Sequence, residues 1–205
     1  MNSQTQRTSI AGPAGALQCA LDAPADAVRG VMVVCHPHPL HGGTMDNKVV
    51  QTVARAGLQC GLRTVRFNFR GIGESAGTWD EGRGEVDDAM AVVAAFRDPA
   101  LPLWIAGFSF GGYVASQAAA RLPQAERAAG LVLVGPATRN FPVAQVPDDT
   151  LVIHGEADDV VPLQATLDWA RPQSLPVVVV PGVGHFFHGQ LPVLKSLVVR
   201  HLGGR

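Results

Sequence analysis

Charge is scarce in this chain: Asp, Glu, Lys and Arg make up 16% of its 205 residues, and the formal net charge is −1. No basic run or stripe occurs. Neutralising phosphates takes clustered Lys and Arg, so no nucleic-acid partner is expected. Cysteine is nearly absent as well: Cys19, Cys35 and Cys60 are odd in number and show no Cys-x-x-Cys spacing. This argues against a disulfide framework and against a thiolate metal site, and favours buried free thiols in a reducing compartment. No apolar run approaches the roughly 20 residues of a bilayer-spanning helix, so no membrane partner is expected. Residues 1–12 are polar, with no cationic end leading into an apolar stretch, so no signal peptide and a cytoplasmic location are expected. Repeats, low-complexity tracts and interdomain linkers are missing too. The whole chain, 1–205, reads as one domain, and its length supports a substantial core.

What is present is apolar and heavily punctuated: 47% of residues are hydrophobic, with 23 glycines and 15 prolines. β-branched runs alternate with stretches of helical spacing. Strands are expected at Val28–Cys35, Leu62–Phe69, Leu101–Gly107, Ala129–Gly135, Thr150–His154 and Val177–Val180. Helices are expected at Asn47–Cys60 (Gly61 as its stop), Glu85–Phe96, Phe110–Leu122, Pro162–Ala170 and Gln190–Leu202. The first ~25 residues read as one or two antiparallel edge strands. Near-continuous apolar strands separated by helices imply an α/β fold, a mostly parallel central sheet with helices on both faces. The segment between Gly135 and Thr150 is too short to fold into a lid domain.

Gly-x-Ser-x-Gly occurs twice, at Gly73-Glu-Ser75-Ala-Gly77 and at Gly107-Phe-Ser109-Phe-Gly111. A nucleophile elbow needs a strand that delivers the serine into a tight turn and a helix that leaves at once. Ser109 has LPLWIAG before it and FGGYVASQAAARL after it. Ser75 stands five residues past a strand and runs into an irregular loop. Ser109 is therefore the nucleophile candidate.

An acid and then a histidine should follow in chain order. The strand TLVIH runs into Gly155-Glu-Ala-Asp158-Asp159, which puts a carboxylate at the sheet edge where such sites form. Position alone does not choose between Asp158 and Asp159. The strand VVVV leads into Gly182-Val-Gly-His185, whose imidazole could take the serine proton and donate to the aspartate. His188 reads as a polar helix-start residue, His154 as a packed strand residue and His201 as exposed. In the front loop, His36-Pro-His-Pro-Leu-His41-Gly-Gly, three histidines within six residues suggest a metal site. The stiffening prolines and the lack of an acidic neighbour other than Asp46 argue against it. An oxyanion loop fits better. The Phe110 N–H supplies one donor. Pro37 and Pro39 have no N–H, which leaves His38, or alternatively Leu40, as the second.

With these segments in place, the sequence resembles the α/β-hydrolase superfamily over nearly the whole chain from Val28 onward. HPHPLHGG, GFSFG, HGEADDVVP and GVGHFF stand in the expected order. The resemblance implies Asp158 as the acid and His185 as the base. HGGTMDNKVV and VRFNFRGIGESAGTWDEGRGEVDDA are similar to a bacterial subgroup of compact, lidless hydrolases related in layout to dienelactone hydrolases. Those use cysteine where this chain has Ser109, so their substrate is not carried over.

The expected activity is two-step acyl transfer to water from a small ester or thioester, with no cofactor and no metal. A peptidase or acyl-aminoacyl hydrolase, and a non-catalytic binding protein on the same fold, are the alternatives. Leu40, Arg70 and Trp79 are substrate-binding candidates. Arg70 could instead bridge to Asp87 or Asp88, and Trp79 could simply be buried under its loop. LPVLKSLVVRHL offers an apolar face for a homodimer or, equally, for packing on its own sheet.

Overall fold

The computed structural model describes residues 5–204. A hairpin of β1 (Gln6–Gly12) and β2 (Gly15–Asp22) opens the chain, so two antiparallel edge strands form; residues 1–4 lie outside the described residues. Then follow β3 (Gly30–Cys35), α1 (Lys48–Gln59), β4 (Leu62–Phe67), α2 (Arg83–Phe96), β5 (Leu103–Phe108) and α3 (Phe110–Arg121). The chain closes with β6 (Gly130–Val134), β7 (Leu151–Gly155), α4 (Leu163–Ala170), β8 (Val177–Val180) and α5 (Leu191–Gly203). All expected elements are present, with ends displaced by one or two residues where caps take over. Asn47 is not the first helical residue of α1 but its N-cap, accepting the Val49 and Val50 N–H groups.

The strands form one sheet in the order β1-β2-β4-β3-β5-β6-β7-β8. β2 runs antiparallel to β4, and from β4 to β8 every pairing is parallel. The central strands β3, β5 and β6 are buried along their whole length, as strands covered on both faces must be. Alternate residues feed opposite cores. Val31, Val33 and Ile105 pack with Val86 and Val114 from α2 and α3. Met32, Val34 and Ala106 pack with Val53 and Val198 from α1 and α5. Leu194, Val198 and Leu202 thus spend the apolar face of α5 on its own sheet.

From β3 the chain steps to β4 on one side and later returns to β5 on the other. That reversal opens a crevice at the carboxyl ends of β3 and β5. The connection between β6 and β7 holds no helix or strand, so it builds no lid domain over the crevice. Among the described residues no helix is long and apolar enough to cross a membrane.

Candidate active site

Ser109 stands at that crevice, between the last residue of β5 and the first of α3. Its backbone has φ 56° and ψ −119°, a conformation L-residues rarely adopt. Two glycines allow so tight a turn. A Cβ on Gly107 would come within 1.9 Å of the Gly111 carbonyl, and one on Gly111 within 2.3 Å of the Cys35 carbonyl. The turn is held by the Ser109 N–H donating to Val134 O at 2.9 Å and the Ala137 N–H donating to Ser109 O at 3.1 Å.

β7 and β8 bring the other two groups to the same edge. His185 Nε2 lies 3.0 Å from Ser109 Oγ, and its Nδ1 lies 2.7 Å from Asp158 Oδ2. Asp158 Oδ1 accepts the Val160 N–H at 3.0 Å and the Val161 N–H at 2.7 Å. All three residues are buried, whereas Asp159 points to solvent. Burial opposes the charge on Asp158. The hydrogen bonds from His185 and Val161, with the nearby imidazoles, outweigh it and hold the carboxyl below its ordinary value. Gly135 clears the space: with φ +47°, a Cβ there would sit 3.4 Å from Asp158 Oδ2 and 3.5 Å from the His185 ring.

The front loop leaves β3 and covers the serine. His36 is fully buried; it accepts the Phe69 N–H at Nε2 (3.1 Å) and donates from Nδ1 to Pro37 O (2.6 Å). Burial drives this imidazole down to about 3, so it is a neutral tie between the ends of β3 and β4. His38 and His41 stack at 4.4 Å instead of converging with His36 on a common point. Neither the Phe110 N–H nor the His38 N–H has an acceptor among the described residues. His38, Ser109 and His185 line a cavity of about 290 Å³ together with Asn47, Val160 and Phe186, and Phe110 directly follows Ser109.

Three expected substrate-binding residues are not brought to this cavity. The Leu40 N–H is spent on His38 Nδ1 at 3.3 Å, and its side chain is 64% exposed and does not line the cavity. Arg70 is held by Asp88 through Nε (3.0 Å) and a second guanidinium nitrogen (2.8 Å), so the salt-bridge reading prevails. Trp79 lies behind the loop, its ring 4.6 Å from His38 and 5.2 Å from Phe110. Ser75 is a strap, its Oγ donating to Asn68 O at 2.7 Å and accepting the Gln18 N–H at 2.9 Å. His201 is not exposed but half-buried against the Trp104 edge, and His188 sits in the turn before α5. Cys60 is only half-buried.

Sequence reasoning missed the rings that flank His185. Phe108 and Phe186 stand 4.9 and 5.1 Å from the His185 ring. Their signal was available in the aromatic residues of GFSFG and GHFF. It also missed that His154 reaches Asp158, at 3.3 Å. A larger cleft of about 600 Å³ opens at the opposite, amino-terminal end of the sheet, near Arg29 and Lys195, and no serine or histidine lines it.

Comparison with known proteins agrees with this architecture. Residues 26–145 match the family model described as serine aminopeptidase, S33, a span that includes the elbow and stops before Asp158 and His185. The chain is 39% identical to a serine hydrolase without lid from Xanthomonas campestris, covering 98% of this chain and 95% of that one at a TM-score of 0.89. A serine hydrolase homologue from Coxiella burnetii is 40% identical over 96% and 97% of the two chains, at a TM-score of 0.83. A Rickettsia prowazekii protein of undescribed activity is 30% identical over 173 residues, 77% of this chain and 71% of its own length. The chain therefore belongs to the serine aminopeptidase S33 family of the α/β-hydrolase superfamily, among its compact serine hydrolases that lack a lid.

Proposed function

We propose that the protein is a serine esterase that cleaves small carboxylic esters or thioesters through an acyl-enzyme. The observation that carries this reading is the unbroken relay from Ser109 Oγ through His185 to Asp158, with Ser109 and His185 lining the cavity. Ser109 Oγ attacks the carbonyl carbon while His185 Nε2 takes its proton. The oxyanion accepts hydrogen bonds from the Phe110 and His38 N–H groups. His185 then passes the proton to the leaving oxygen or sulfur, and the acyl group stays on Ser109. Water loses a proton to the same nitrogen as it attacks the acyl carbonyl. Ser109 Oγ regains that proton, and the carboxylic acid departs. Asp158 holds the imidazole in the tautomer that accepts from serine and stabilises the imidazolium between steps.

Val160 and Phe186, 45% and 44% exposed, make one wall apolar, and the cavity volume suits a short acyl group. The name of the matching family favours a second reading, hydrolysis of an N-terminal peptide bond. Holding an α-ammonium group calls for a carboxylate, and no Asp or Glu lines the cavity. Esters are the better match. The substrate is the only partner this reading requires, and a cytoplasmic setting suits three free cysteines.

The test is fluorophosphonate labelling of wild type, Ser109→Ala and Ser75→Ala, beside hydrolysis of p-nitrophenyl acetate, butyrate and octanoate and of an aminoacyl anilide. Labelling and turnover should vanish in Ser109→Ala alone, with acetate or butyrate preferred. Failure of the wild type to label or to hydrolyse any ester would leave a binding protein as the better account.

A further inference from the structure

Every group in the relay above is accounted for except one that touches it. His154 occupies β7, a strand otherwise written LVI-G, and it is fully buried. A polar ring in such a place is unfavourable unless its atoms are partnered, and here only one edge is. His154 Nε2 lies 2.9 Å from Val161 O and 3.3 Å from Asp158 Oδ2. Nδ1 is buried with no hydrogen-bond partner. A carbonyl oxygen only accepts, so Nε2 carries the proton and the neutral ring leaves Nδ1 bare. Burial, as the largest influence, keeps this imidazole below its ordinary range despite the pull of Val161 O and Asp158. Leucine would fill the same space without stranding a nitrogen. The ring is therefore explained by its N–H and by what that N–H reaches.

It reaches both ends of one turn. Asp158 Oδ1 takes the Val160 and Val161 N–H groups, and Oδ2 faces two imidazoles, His185 Nδ1 at 2.7 Å and His154 Nε2 at 3.3 Å. We infer that His154 is a positioning residue for the proposed esterase reaction: its N–H, donated to Val161 O and lying 3.3 Å from Asp158 Oδ2, pins the turn that carries the carboxylate and tempers the charge that Asp158 offers His185. The inference rests on the esterase reading for its kinetic consequences. Its geometric content does not. Asp158, on the loop after β7, and His185, on the loop after β8, are the titratable groups that face this ring. His154 does not line the cavity, so substrate binding should be indifferent to it.

Removing the N–H unties Val161 O from the strand and takes away the positive ring edge that lies 3.3 Å from Oδ2. The carboxylate then turns more freely, which misorients the base, and its less neutralised charge favours the imidazolium. The two effects predict a lower kcat and an acid limb of kcat/KM moved to higher pH, with KM nearly unchanged. Three variants test this. His154→Leu removes the donor. His154→Asn stays polar, but its amide is too short to reach the Nε2 position. His154→Gln returns an N–H close to that position without a titrating ring. With p-nitrophenyl butyrate, the Leu and Asn variants should lose about ten- to hundredfold in kcat, and Gln should restore both rate and profile. The inference is overturned if Leu or Asn, folded, keeps the wild-type kcat and pH profile and only melts lower. It is equally overturned if Gln is as impaired as Leu.

A readout independent of turnover separates this from the esterase reading. The proton between His185 Nδ1 and Asp158 should give a far-downfield ¹H NMR resonance that moves in Leu and Asn and returns in Gln. An inert wild type with that pattern would overturn the esterase reading and keep the role of His154. A resonance indifferent to all three variants would overturn the role of His154 whatever the activity.

Discussion

Ser109 combines the proposed nucleophile with a strained backbone at one position. A non-glycine residue in so sparsely populated a conformation costs about 1–3 kcal/mol, more than the ~0.4–1 kcal/mol by which glycine loosens the unfolded chain. Ser109→Gly should therefore be inactive and more stable than wild type, its Tm rising by about 2–4 °C for each kcal/mol released. Ser109→Ala keeps a Cβ at φ 56° and should be inactive with a Tm near wild type. Calorimetry on the pair decides: equal Tm values would mean that the elbow stores no strain. The competing Ser75 shows what the motif string omits. Both serines have flanking glycines, but Ser75 Oγ is spent on Asn68 O and the Gln18 N–H. Ser75→Ala should thus be destabilised by about 1–3 kcal/mol, as its two partners are stranded, and should hydrolyse esters normally. Denaturant unfolding beside an esterase assay checks both halves.

At the scale of elements, the loop after β4 and helix α2 are joined by the pair that the sequence left open. Asp88 is fully buried and receives the Arg70 backbone N–H and two guanidinium contacts. The hydrogen bonds that Arg70 donates to Asp88, foremost, raise its already high value and keep it charged. Removing the arginine strands a buried carboxylate, which typically costs about 3–5 kcal/mol. Arg70→Met should lower the urea midpoint by a corresponding amount while KM for p-nitrophenyl butyrate stays within error. A large rise in KM without loss of stability would return Arg70 to the substrate. From sequence, Asp87 and Asp88 were equivalent partners. The helix separates them: Asp88 turns inward, and Asp87 stays exposed with Arg121.

For the whole molecule, the buried imidazoles set the response to acid. His36 titrates near 6.5 in an unfolded chain and only at about 3 in the fold. Between those values the unfolded state binds the extra proton, so stability falls as pH drops, by about 1.4 kcal/mol per pH unit from this group. His154 and His38 are also held low, chiefly by burial, and act in the same direction. Asp158 is depressed instead, so its contribution is intact above the ordinary carboxylate value of 3.8 and is lost only below it. Urea unfolding at pH 7.5, 6 and 5 should show a steady loss that begins near 6.5, and His36→Gln should flatten the slope by about one proton. A stability independent of pH across that range would mean that these rings are charged in the fold.

The sequence alone determined the order of elements, the parallel sheet and the choice of Ser109, because apolar period, strand–turn–helix context and glycine placement are local. It also put His185 and the Asp158–Asp159 pair at the ends of neighbouring strands. Which carboxylate turns inward was decided by the tertiary structure, where the Val160 and Val161 N–H groups and two imidazoles converge on Asp158. The placement of Leu40, Arg70 and Trp79 was decided there too, because each depends on a partner or a direction in space. His154 makes the same point most sharply. Its letter in the strand was visible at once, but a buried imidazole becomes informative only when the groups around its two nitrogens are known.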